Sequence, residues 1–167
     1  MSTILRHIVT HGLLFALIST GTLFLIMITT GPRVWGYNDY SDTIKSKVPP
    51  QTKRERRLSI IVGIPWMVIV FLLPIASTLA LKHKLGGDIP FHAALLNMLV
   101  LTALGTLGDV FILDYLIVSK ITPGFVIIPG TEAGDYKDMS HHFKGHLKAI
   151  PYLIAVCLLA AAAIWYF

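Results

Sequence analysis

The sequence predicts an all-α integral membrane protein, a four-transmembrane-helix bundle with two longer cytoplasmic loops. Three observations carry this expectation. Hydrophobic residues make up 54% of the 167 positions and charged residues only 14%, with a mean hydropathy of +0.70. The apolar residues gather into blocks of the length that crosses a bilayer, about 20 residues, rather than spreading as amphipathic stripes. Finally, eleven Lys and Arg fall in two long connections and only three elsewhere. Under the positive-inside rule this asymmetry places both loops in the cytoplasm and both termini outside it.

The spans fall at about 7–31, 58–81, 91–118 and 147–167 and use most of the chain, so residues 1–167 read as a single transmembrane domain. The first is too long for a signal-peptide core and lacks an Ala-x-Ala cleavage site, which makes it a retained helix. His7 and His11 share a face at i, i+4 and suit the wet headgroup region, and the small residues Gly12, Ser19, Thr20, Gly21 and Thr22 suit close packing. Gly31-Pro32 ends the helix.

The first long loop has an aromatic, acidic half and a basic half. Trp35, Tyr37 and Tyr40 fit a headgroup location. Arg54, Arg56 and Arg57 abut the second span and, beyond setting orientation, are candidates with Lys144 for holding an anionic headgroup. Nucleic acid is not an expected partner, because no groove-sized reading element accompanies the charges. Pro65 and Pro74 predict a kinked second span, followed by a turn at Gly86-Gly87.

The third span holds the most informative stretch. Residues 101–114 place Asp109 and Asp114 within an apolar run, where a carboxylate costs roughly 2.5–3.5 kcal/mol on insertion scales and marks a functional site by default. On an α-helix Thr102, Gly105, Thr106 and Asp109 form one small, polar stripe. At about 100° per residue Asp114 lies roughly 140° away from Asp109, so the two acids are not expected to share a face.

In the second long loop Pro123-Gly124 and Pro129-Gly130 bracket an apolar patch, 125–128, that can fold back on the membrane surface. His142 and His146 then stand one helical turn apart, with Asp138 on the same side if the helix reaches back to it and Asp138 or Ser140 as its cap. This pairing is the geometry with which two imidazoles bind one divalent metal ion, Asp109 being the candidate third ligand. The segment lacks the glutamate of a zinc-protease helix, and haem held between histidines is the lesser alternative. No phosphate-binding loop, Gly-x-Ser-x-Gly elbow or Cys-x-x-Cys is present, and Cys157 reads as a buried, inert thiol.

Two functional classes follow. The first is a membrane-embedded enzyme or binding protein for a lipidic or anionic amphipathic ligand, with Asp109, Asp114, His142 and His146 as acid/base or ligating groups. The second is a proton- or ion-coupled transporter or channel, acting as a homo-oligomer because four helices enclose little space. A third, plainer class is an assembly subunit of a membrane complex, with the polar stripe as its docking surface.

Overall fold

The structure, a computed structural model, describes residues 3–167. Those residues form helices and turns with no strand. In chain order they are α1 (Thr3–Thr30), α2 (Pro32–Trp35), a 3-10 turn (Tyr37–Asp39), α3 (Asp42–Ser46), α4 (Lys53–Lys84), α5 (Phe91–Gly108), a π-helix (Asp109–Ile121), a 3-10 turn (Ala133–Tyr136) and α6 (Ser140–Tyr166). Four stretches are long and apolar enough to cross a membrane: Thr3–Thr30, Lys53–Lys84, Phe91–Ile121 and Ala133–Tyr166.

The helices outrun the apolar blocks because a helix ends where its backbone hydrogen bonds end, not where its hydropathy falls. At the start of α4 the Thr52 hydroxyl accepts the Glu55 N–H at 3.2 Å while the Glu55 carboxylate accepts the Thr52 N–H at 2.7 Å. This reciprocal cap carries the helix through the basic cluster to Lys53. α6 likewise starts well before the last apolar block, but neither Asp138 nor Ser140 is its cap: Met139 holds the N-cap position with no side-chain cap bond, and Asp138, one residue further out, accepts the Ser140 N–H at 2.8 Å. α4 continues through both Pro65 and Pro74.

The four long elements alternate in direction. The N-terminal part of α1 meets the C-terminal part of α4 through His7 and Ser77, and Lys82 of α4 donates to the Ile164 carbonyl near the end of α6. One end of the bundle thus holds the short α4–α5 turn and the other holds both long loops. α1 packs chiefly against α5, and small residues make this approach close. A Cβ on Gly105 would come within 2.5 Å of the Phe15 ring, and one on Gly108 would collide with the Thr20 hydroxyl.

Two buried clusters close the ends. At the turn end Leu81, Ile89, Ala93, Met98, Cys157 and Ala161 pack together. Cys157 is 2% exposed, as its apolar setting suggests, with its sulfur 3.5 Å from the Thr102 hydroxyl. His7 does not sit among wet headgroups: it is buried, its Nε2–H donates to the Ser77 carbonyl at 3.0 Å, and its ring stacks on His11 with centroids 3.7 Å apart. Packing against α4 supplies the partner that bulk water was expected to supply.

At the loop end the two long connections pack on each other. Tyr40 is fully buried and donates its hydroxyl to the Val126 carbonyl at 3.0 Å. Its ring meets Trp35 and Tyr136 edge to face, at 5.8 and 5.1 Å between centroids. Tyr136 in turn accepts the Ile128 N–H at 2.9 Å. The 125–128 patch therefore turns two of its four residues into the protein, while Phe125 and Ile127 stay partly exposed. Val126 and Ile128 are fully buried, in a core with Tyr40, Ile44, Val48 and Tyr136, because the first loop offers them an apolar face of matching size. Tyr40 leaves the expected headgroup position for the same reason. Arg33 fastens this cap to α4 with two bonds to Glu55, at 2.6 and 3.1 Å, and two more to the Pro49 and Pro50 carbonyls.

Candidate functional site

Below the cap, α1, α4, the π-helix and α6 surround a half-open cavity of about 430 Å³. Leu23, Met27, Val62 and Met67 form much of its apolar wall, and Asp109, Asp114, His142 and His146 its polar end. The size matches ordinary small-molecule pockets, which run from roughly 300 to 1,000 Å³.

The π-helix is what brings the acids here. Its hydrogen bonds run from residue i to i+5, so a residue five positions on comes round to about the same side, where an α-helix would have carried it past. Asp109 and Asp114 consequently line one cavity, and the expectation that they would face apart is corrected by this local geometry. A π-helix has no compositional signature comparable to an apolar block, so it is not legible from residue types alone.

Asp114 is the organising residue. One carboxylate oxygen accepts from His146 Nε2 at 2.8 Å, and the other lies 3.3 Å from His142 Nδ1. The helical spacing of the two histidines sets both rings on the side of α6 that meets the π-helix, as the sequence predicts. The carboxylate beside them is that of Asp114, not that of Asp138, which is engaged with the Ser140 N–H and hydroxyl at 2.8 and 3.0 Å. His146 must carry its proton on Nε2 to donate this bond, which leaves Nδ1 as the nitrogen free to exchange a proton when the ring is neutral.

Asp109 lines the same cavity yet has neither a hydrogen bond nor an ion pair among the described residues. It therefore does not complete a metal-ligand trio with His142 and His146. Among the described residues no group of three or more His, Cys, Asp or Glu is arranged to hold a metal ion. Arg54, Arg56, Arg57 and Lys144 are exposed and none of them lines the cavity. The cavity wall carries no Lys or Arg at all.

Sequence reasoning missed several members of the site, among them Asp39 and Trp35 from the first loop, Trp66 from α4 and His141 from α6. Asp39 is exposed as a residue, but protein atoms crowd its carboxyl on the cavity side and push its pKa above the ordinary carboxylate value. His142, Lys45 and His141 pull it back, and Asp114 adds to the rise. Tyr40, which also stands 6.4 Å from the His142 ring, is held above the usual phenol range by burial.

Comparison with family models, with curated proteins and with solved structures finds no match to this chain.

Proposed function

We propose that this chain is a multi-pass membrane protein whose loop-end cavity takes an amphipathic ligand and performs acid–base work on it. The observation that carries the reading is a hydrogen-bonded carboxylate and imidazole pair at the polar end of a cavity whose remaining walls are apolar. An apolar tail matches Leu23, Met27, Val62 and Met67, and a polar head reaches Asp114, His142 and His146. The wall carries three carboxylates and three imidazoles but no Lys or Arg, so a neutral or cationic head fits better than the anionic one expected from the loop charges wherever the imidazoles are uncharged. Arg54, Arg56, Arg57 and Lys144 then serve orientation, with the two long loops in the cytoplasm and both termini opposite.

In this reading Asp114 fixes the ring orientation and tautomer of His146, as a carboxylate does for a catalytic histidine generally. His146 Nδ1 then accepts or returns a proton at a ligand hydroxyl or a water. Asp114 also stabilises the imidazolium once it forms.

The test is titration of the detergent-purified protein with neutral, cationic and anionic single-chain amphiphiles, followed by tryptophan fluorescence. Trp35 and Trp66 line the cavity, so saturable binding of the neutral or cationic probe should alter emission, and Asp114→Asn should weaken it. Emission indifferent to every amphiphile, with native mass spectrometry finding none retained, would sink the reading. A second reading, cation-coupled transport by a homo-oligomer, draws support from one observation: Asp109 and His146 also line a second, smaller cavity of about 170 Å³.

A further inference from the structure

Three sides of the bundle are held shut by direct contact. α1 meets α5 at Gly105 and Gly108, α1 meets α4 through His7 and Ser77, and the π-helix meets α6 through Asp114 and the rings of His142 and His146. The fourth side, between α4 and α6, is fastened at the turn end. There Leu81 of α4 packs in one buried cluster with Cys157, Ala161 and Ile164 of α6, and Lys82 reaches the Ile164 carbonyl at 2.8 Å. Among the described residues no other hydrogen bond or ion pair joins the two helices. At the loop end the buried core draws on α1, the two long loops and the π-helix, and takes no residue from α4 or α6.

Between these two loop-end segments lies the outer cavity. Ser59, Gly63 and Met67, at every fourth position of α4, line it from one lip, and Gly145 and Ala149 of α6 line it from the other. Both lips carry a glycine beside open space: a Cβ on Gly63 or on Gly145 would have nothing within 4 Å, unlike one on Gly105 or Gly108. Met67 lines the cavity and is still 46% exposed, so the cavity wall runs out onto the side of the bundle. That side lies at the edge of the hydrocarbon. The apolar block of α4 begins at Leu58, just after Arg56 and Arg57, and that of α6 begins between Lys144 and Lys148, all four of them exposed. Long basic side chains at such a boundary mark the headgroup level. At about 430 Å³ the cavity falls within the range for drug-sized ligands, roughly 300–1,000 Å³. It therefore encloses a head and the start of a chain rather than a whole two-chain lipid.

We infer that the cavity is loaded sideways from the bilayer: a membrane lipid with an uncharged, hydroxyl-bearing head, of the acylglycerol class, sets that head against Asp114 and His146 and leaves its chains trailing between α4 and α6 into the surrounding leaflet. The inference rests on the amphipathic-ligand reading and names its ligand. In the experiment the full chain, held in phosphatidylcholine nanodiscs, is titrated with monooctanoylglycerol, short enough to fit inside, and with dioleoylglycerol, which is not. Lipid retained on release is counted by native mass spectrometry. The native chain should retain both, because trailing chains set no upper limit on length. Asp114→Asn should lower both, which separates a held head from lipid that merely coats the helices. Gly63→Phe and Gly145→Phe place a ring in the gap, and each should lower dioleoylglycerol retention roughly tenfold while leaving monooctanoylglycerol within about twofold. Should neither phenylalanine variant fold, dioleoylglycerol on the native chain against Asp114→Asn decides alone. Retention of monooctanoylglycerol without dioleoylglycerol marks a closed pocket and overturns sideways loading while the amphipathic reading stands. Dioleoylglycerol at the native level in both phenylalanine variants, or in Asp114→Asn, also overturns it. Retention of neither lipid overturns the inference and the reading together.

Discussion

A single carboxylate, Asp114, fixes two imidazoles, and most of the chemistry argued for the cavity depends on it. Replacing it with asparagine keeps the shape but removes the charge that the two rings share. Hydrogen bonds to charged groups are worth about 1.5–3 kcal/mol, so amphiphile binding that depends on the ordered rings should weaken roughly tenfold or more in the fluorescence titration. His146→Gln should abolish proton transfer while leaving binding closer to wild type, which separates the two roles. Asp39 makes a pH-dependent prediction. Its folded pKa lies above that of the unfolded chain, near 4, so its contribution to stability is fully present below that pH and is lost as the pH rises through the folded value. Asp39→Asn should therefore match wild type in acid and exceed it at neutral pH when Tm is followed across the range. An ordering in the opposite direction would show that attraction to His142 and Lys45 outweighs the crowding.

At the scale of the element, the α1–α5 contact and the π-helix decide where the site lies. Gly105→Ala presses a methyl group against the Phe15 ring and Gly108→Ala against the Thr20 hydroxyl. Overpacking of this kind costs about 1–3 kcal/mol. Each variant should lower Tm by several degrees, whereas Gly21→Ala, with nothing within 4 Å of the added carbon, should not. The apolar runs made the long helices legible, since about 20 such residues have few other uses. The histidine pair was equally legible, because positions 142 and 146 share a side of any α-helix. The meeting of Asp109 with Asp114 was not. It depends on a hydrogen-bond register that neither residue encodes, and an α-helical ruler applied to the sequence sends the second acid the wrong way.

Across the whole molecule, the loops proved to be structure rather than slack. Tyr40 and Val126, far apart in the chain, meet in a closed apolar core, and a rule that reads aromatic residues near spans as headgroup anchors has no means of finding such a partner. Tyr40→Phe removes one buried donor and should cost about 1 kcal/mol, seen as lower Tm and faster proteolysis of the second loop. Orientation is testable at the same scale. Cys157 is buried, so in intact cells the native chain should resist an impermeant thiol reagent. Gly87→Cys, in the short turn, should label from outside, and Ser46→Cys, in the first long loop, only after permeabilisation. The reverse pattern would invert the topology drawn from the lysines and arginines.

The cap has a consequence for biosynthesis. A ribosome delivers Tyr40 before its carbonyl acceptor at Val126 exists, and Asp114 before either histidine that it holds. Until the final helix emerges, that acid stands in a nascent three-helix intermediate without its imidazoles. A truncated product ending before His142 should accordingly be recognised by membrane quality control and degraded, and coexpression of the missing helix as a separate peptide should rescue it.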